Sequence, residues 1–150
     1  MAHETETVQT TRQQIAVFCK WAMQYREDFA GTNFPDMPAS ELRKFLKKKY
    51  TLEEGEQILR PKIFAAIGGD CDDAFIFVTA LMLFCGVDRR HIFAVEARGD
   101  SDSEWTHILC AVSDGAGGKI YFDCLPESWD DAEKFYGEEN LRARRISEYL

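Results

Sequence analysis

The sequence predicts an α+β fold: a buried central helix packed on an antiparallel sheet, with further helices ahead of it. Three observations predict it. The stretch Ala74-Phe-Ile-Phe-Val-Thr-Ala-Leu-Met-Leu-Phe84 is apolar on every side, which suits a helix enclosed by its neighbours. Three short apolar runs follow it, joined by polar loops, as in a β-meander. The chain has 150 residues, 45% of them hydrophobic, enough for a single domain over 1–150 with its own core.

The elements follow in order. Residues 1–9 are polar and predict disorder. From Thr10 to Phe29, Ile15, Phe18, Cys19, Ala22 and Phe29 fall on one stripe at three- and four-residue spacing, a helix signature. Pro35 and Pro38 mark a loop over 31–38. A second helix runs from Ser40 to Tyr50 and buries Leu42, Phe45 and Leu46. Its lysines, Lys44 and Lys47 to Lys49, read as a solvated face that complements the helix dipole. Thr51-Leu-Glu-Glu54 is a capping-box pattern for a short third helix, which Pro61 ends or bends. The central helix spans Cys71 to Cys85, with Asp72 and Asp73 in its first turn and Gly86 as its stop. Strands are expected at His91–Ala97, Trp105–Val112 and Lys119–Cys124, and a last helix around Ser128 to Tyr136.

Charge and composition exclude several functions. The formal net charge is −8, whereas phosphate backbones and anionic membranes demand a basic surface. No apolar run reaches the roughly 18 residues of a membrane span, and the N-terminus lacks a signal-peptide pattern. Cys19, Cys71, Cys85, Cys110 and Cys124 are odd in number and include no C-x-x-C pair. Reduced thiols in a cytoplasmic protein are therefore expected, with no disulfide framework and no zinc site built from Cys85, Cys110, Cys124 and His91. The loop Asp100-Ser-Asp102-Ser-Glu104 reads as a solvated hairpin tip, and Gly115 to Lys119 lacks phosphate-loop spacing. No cofactor or metal is expected.

The chemistry centres on Cys71. A thiol at a helix N-terminus behind Gly68-Gly69-Asp70 has backbone amides that favour a thiolate and, later, an oxyanion. The dipole is worth only about 0.3–1 kcal/mol, less than one pKa unit, and the surrounding aspartates oppose it. Cys71 therefore needs an imidazole. His107 meets that need if its strand pairs with the next one so that His107 opposes Asp123, sixteen residues on, and Val112 opposes Gly118 across a five-residue loop. A carboxylate then fixes the imidazole, as a nucleophile–base–acid triad requires. Trp105 shares the His107 face by alternation and, with Asp70 and Gly69, is a candidate for the substrate cleft.

The residues Gly69-Asp70-Cys71-Asp72-Asp73-Ala74, the apolar helix ending at Gly86-Val87, and the order Cys71, His107, Asp123 resemble the transglutaminase-like superfamily of papain-like cysteine enzymes. The likeness is greatest to small bacterial and phage members with a G-D-C-D-D nucleophile. It covers about residues 59–125. It implies a papain-like α+β core and a thioester acyl-enzyme on the cysteine. The family's histidine strand often reads H-x-(Trp/Tyr)-x-Glu and its aspartate is often followed by Pro. Here the strand reads His107-Ile-Leu109-Cys-Ala111, and Cys124 follows Asp123. No site matching the calcium sites of animal relatives is found. The expected function is amide-bond acyl transfer on a protein or peptide, chiefly hydrolysis; the alternative is a non-catalytic binding or phage-assembly module.

One further expectation concerns the sheet. If Trp105, His107, Leu109, Tyr121 and Asp123 face the central helix, the apolar set Ile108, Cys110, Val112, Ile120, Phe122 and Cys124 forms the back and needs cover, favoured to come from the first helix.

Overall fold

The computed structural model describes residues 12–51, 58–125 and 131–150. The expected disorder at 1–9, the capped helix opening at Thr51-Leu-Glu-Glu54, and the start of the last helix at Ser128 lie largely outside those residues. The helices are α1 (Arg12–Tyr25), α2 (Ala39–Lys49), α3 (Pro61–Ile67), α4 (Cys71–Phe84) and the short α5 (Ala132–Tyr136). The strands are β1 (Ile92–Ala97), β2 (His107–Ser113), β3 (Lys119–Phe122) and β4 (Leu141–Arg145). They form one antiparallel sheet in the order β3-β2-β1-β4. This is the mixed α+β architecture the sequence predicts, with β4 as an added edge.

The central helix is buried as expected: every residue from Asp73 to Leu81 is inaccessible. On one side α1 supplies Ile15, Phe18, Cys19 and Ala22 to the same core. On another, Phe77 ties four segments together. Its ring lies 5.0 Å from Phe29, 5.2 Å from Phe34, 5.5 Å from Phe45 and 5.2 Å from Phe64. Most of these contacts are edge-on or tilted, the arrangement that aromatic quadrupoles favour. Pro61 opens α3 at its first turn instead of ending a helix, where its missing N–H costs nothing.

Gly68 and Gly69 link α3 to α4 and strap that junction to the end of α2. Gly69 donates to the Lys49 carbonyl (3.1 Å) and accepts from the Thr51 amide (2.8 Å). Gly68 has φ +81°, and a Cβ there would collide with the Lys49 carbonyl oxygen. A Cβ at Gly69 would meet the Asp73 carboxylate at 2.5 Å. The close approach that starts the central helix thus requires both glycines.

The sheet departs from expectation in two ways. Val112 pairs with Ile120 and Ser113 with Lys119, so the β2–β3 register is shifted by two residues from Val112 opposite Gly118. The loop is still five residues long, now 114–118, closed by the Asp114 amide donating to the Gly118 carbonyl. A slip of two preserves facing, because strand side chains alternate with period two. The second departure is that the faces are exchanged. Ile108, Cys110, Phe122 and Cys124 lie in the core with the helices, and Thr79 Oγ1 donates to Cys110 Sγ at 3.6 Å. Leu109, Ala111 and Tyr121 lie on the far side with Val95, Ala97 and Ala132. The far face is covered by the C-terminal segment through Ala132, Tyr136 and Leu141, while α1 packs on the central helix instead.

Candidate active site

Cys71 is the first residue of α4, and Asp70 is its N-cap. The Asp70 carboxylate accepts from the amides of Asp72 (3.1 Å) and Asp73 (3.2 Å), and the Asp73 carboxylate returns a bond from the Asp70 amide (3.1 Å). This capping box satisfies the first-turn donors and fixes where the helix begins. Asp73 also accepts from the Leu59 amide at 2.8 Å, which ties in the chain ahead of α3. Burial, with Asp70 nearby, pushes the Asp73 carboxyl up to about 8. The box uses the amides of residues 72 and 73 and not that of Cys71.

The Cys71 sulfur meets two groups. Its thiol points to Asp72 Oδ1 at 3.7 Å, and the backbone N–H of Ile108 donates to the sulfur. The second contact brings the nucleophile candidate against the start of β2, next to His107. Burial pushes the Cys71 thiol up, and the charge of Asp72 adds to it, with Ile108 opposing. An activated, low-pKa thiol is what the sequence predicts; the surroundings favour a neutral thiol. Asp72 is itself raised to about 6, by burial first and then by Asp70, with the Cys71 thiol and the His107 charge acting the other way.

His107 and Asp123 are joined directly. His107 Nε2 and Asp123 Oδ1 are 2.7 Å apart, with both side chains largely enclosed. By strand alternation both belong to the far face with Leu109 and Tyr121, not to the helix face as expected. They lie at the ends of their strands, His107 as the first residue of β2 and Asp123 one past β3, where the sheet no longer separates its two sides. The Asp123 charge acts on Cys71, and the His107 charge acts on Asp72. Since Nε2 is held by Asp123, Nδ1 is the ring nitrogen left to meet a thiol.

Asp123 has two further donors. The Tyr136 hydroxyl donates to Oδ2 at 2.5 Å, and the Leu125 amide donates to Oδ1 at 3.3 Å. Burial pushes the Asp123 carboxyl up, but the His107 bond and charge, with Tyr136 and Leu125, more than offset it and hold the group below its ordinary range. Tyr136 is pushed up by burial and by Asp123, so it stays a phenol able to donate. α5 is docked by a second bond, Tyr121 to Glu133 at 2.7 Å. From the other side Arg43 donates to the Tyr121 carbonyl (2.9 Å) and Lys47 to the Leu125 carbonyl (3.3 Å). Lys47 is therefore a strut for the aspartate segment as well as part of a solvated face.

Sequence reasoning missed Tyr136, Arg43 and Lys47, which act over 13 and 78 residues of separation without a local motif. It also took Cys124 for a core hydrophobe alone. Cys124 is buried in the helix-side core, yet its sulfur lies within 4.8 Å of ligand atoms of both His107 and Asp123. Of the cleft candidates, Asp70 and Gly69 build the helix start. Trp105 lies between the guanidiniums of Arg98 (4.3 Å from its centroid) and Arg142 (4.4 Å), toward β4. Arg142 in turn holds the buried Glu96 with two bonds, 3.0 and 2.8 Å. All five cysteines are free thiols. No helix among the described residues is long and apolar enough to cross a membrane.

The fold is that of papain-like proteins. A solved structure of calcium-bound Legionella pneumophila LapG superposes with a TM-score of 0.56 at 17% identity, covering 86% of this chain and 81% of that one. EGTA-treated LapG from the same organism gives a TM-score of 0.54 at 13% identity, covering 90% and 80%. LapG is a transglutaminase-like cysteine protease, and at this identity the likeness is one of fold. No family model matches the chain, and no curated protein sequence does.

Proposed function

We propose that the chain is a cysteine-dependent acyl-transfer enzyme that hydrolyses amide bonds in a protein or peptide through a thioester on Cys71. The observation that carries this reading is the 2.7 Å bond between His107 Nε2 and Asp123, next to Ile108, whose amide donates to the Cys71 sulfur. Its fold likeness to a cysteine protease supports it.

In this reading the resting nucleophile is a neutral thiol. As the sulfur attacks the scissile carbonyl, the thiol swings from Asp72 toward His107, and Nδ1 takes its proton. Asp123 holds the tautomer and stabilises the imidazolium. The Cys71 amide, which the capping box leaves unused, donates to the oxyanion. The imidazolium then protonates the leaving amine, and water delivered by the same imidazole opens the thioester.

One observation favours the non-catalytic reading: the Cys71 thiol is held neutral by burial and by Asp72. Iodoacetamide labelling with mass mapping separates the two. An enzyme should show Cys71 alkylation that slows markedly in His107→Ala while that of the exposed Cys85 stays the same. A Cys71 rate unchanged by His107→Ala would assign the chain to a binding or assembly role.

A further inference from the structure

The triad reading uses His107 and Asp123 but has no task for Cys124. Its thiol is almost wholly buried, and its sulfur, a carboxylate oxygen of Asp123 and a ring nitrogen of His107 all lie within 4.8 Å of one another. Two of the three side chains are buried and the third largely so.

We propose that His107, Asp123 and Cys124 form a binding site for a thiophilic divalent cation, zinc by preference, which switches off the acyl-transfer site. The donor set identifies the metal. Thiolate, imidazole and carboxylate together are zinc ligands, whereas magnesium and calcium take oxygen donors. Zinc holds its ligands at about 2.0–2.3 Å, so ligand atoms in a tetrahedron stand about 3.5 Å apart. His107 and Asp123 need to open by less than 1 Å from their 2.7 Å bond, and Cys124 needs to close by at most somewhat more than 1 Å. Side-chain rotations suffice for both.

The charges fit as well. Zinc displaces the Cys124 thiol proton to solvent, takes a neutral imidazole nitrogen and an Asp123 oxygen, and a water completes the four. One thiolate and one carboxylate balance the two positive charges. Tyr136 on Oδ2 and Lys47 on the Leu125 carbonyl hold the ligating segment from behind, as outer partners do in metal sites. While the metal is bound, the imidazole and its carboxylate are both occupied and cannot take the Cys71 proton.

The inhibitory consequence rests on the acyl-transfer reading; the binding itself does not. Cobalt titration of the full chain, with phosphine reductant, tests the binding. One cobalt per chain should give the visible bands of a tetrahedral ion and a thiolate charge-transfer band, and zinc should bleach both. Cys124→Ser should lose the charge-transfer band and bind zinc more than about 100-fold more weakly. Cys85→Ser should match wild type. If Cys124→Ser fails to fold, His107→Ala, at a partly exposed position, should show the same weakening. Absence of the bands in wild type, or a charge-transfer band that persists in Cys124→Ser, would overturn the site. Cobalt bands with Cys71 alkylation indifferent to His107 would uphold the site and end the acyl-transfer reading. Activated Cys71 without the bands would do the reverse.

Discussion

After burial, the Asp72 carboxylate does most to hold the Cys71 thiol neutral, and replacing it with asparagine should quicken Cys71. With sulfur and Oδ1 3.7 Å apart, a thiolate and a carboxylate would repel by about 4.5 kcal/mol at an effective dielectric constant of 20. The chain has a cheaper route: Asp72 titrates at about 6, so it can take a proton as the thiolate forms. At pH 7 that protonation costs about 1.4 kcal/mol, one pKa unit, and this smaller figure limits the penalty. Asp72→Asn should therefore raise the alkylation rate of Cys71 about tenfold at pH 7 and only about twofold at pH 6. The loss of a first-turn carboxylate from the helix dipole contributes less, about 0.3–1 kcal/mol. The assay is the iodoacetamide rate at Cys71, resolved by peptide mass mapping, as the ratio of variant to wild type between pH 5.5 and 7.5. The ratio cancels titrations common to both proteins. A ratio near one at pH 7, or one that does not grow with pH, would refute the assignment of Asp72 as the brake.

Tyr136→Phe removes a donor from a buried carboxylate and should cost about 1.5–3 kcal/mol in urea denaturation at pH 7. Asp123 titrates below its ordinary range in the fold, so its pairing stabilises above about pH 4 and is lost as pH falls through the folded value. In the variant that folded value rises, so the deficit should shrink on acidification; a variant as stable as wild type at pH 7 would remove Tyr136 from the site. Gly68→Ala forces a side chain into φ +81° against the Lys49 carbonyl and should lower stability by at least about 1–3 kcal/mol, read from the urea midpoint. An unchanged midpoint would mean that the α3–α4 junction is not built this way.

What could be read along the chain was local. The aspartates of 70–73 specify a helix start by hydrogen bonds that span three residues, so Cys71 at its first position is legible without any tertiary contact. The all-round apolar run to Phe84 requires burial wherever the helix ends up. The meander follows from loops of fixed length, and His107 and Asp123 meet because a five-residue loop brings neighbouring strands back together. Packing decided the rest. Alternation says that Ile108 and Leu109 point opposite ways, not which of them meets the helix. Both sets are apolar, and a slip of two residues leaves every facing unchanged, so face and register were each open until α4 packed on Cys110 and α5 on Tyr121. Tyr136, Arg43, Lys47 and Cys124 join the site across loops or from separate elements, carrying no pattern of their own. Hydrogen bonds between distant residues leave no periodic trace in a sequence, because the separation each one spans is set by the tertiary fold and not by a local repeat.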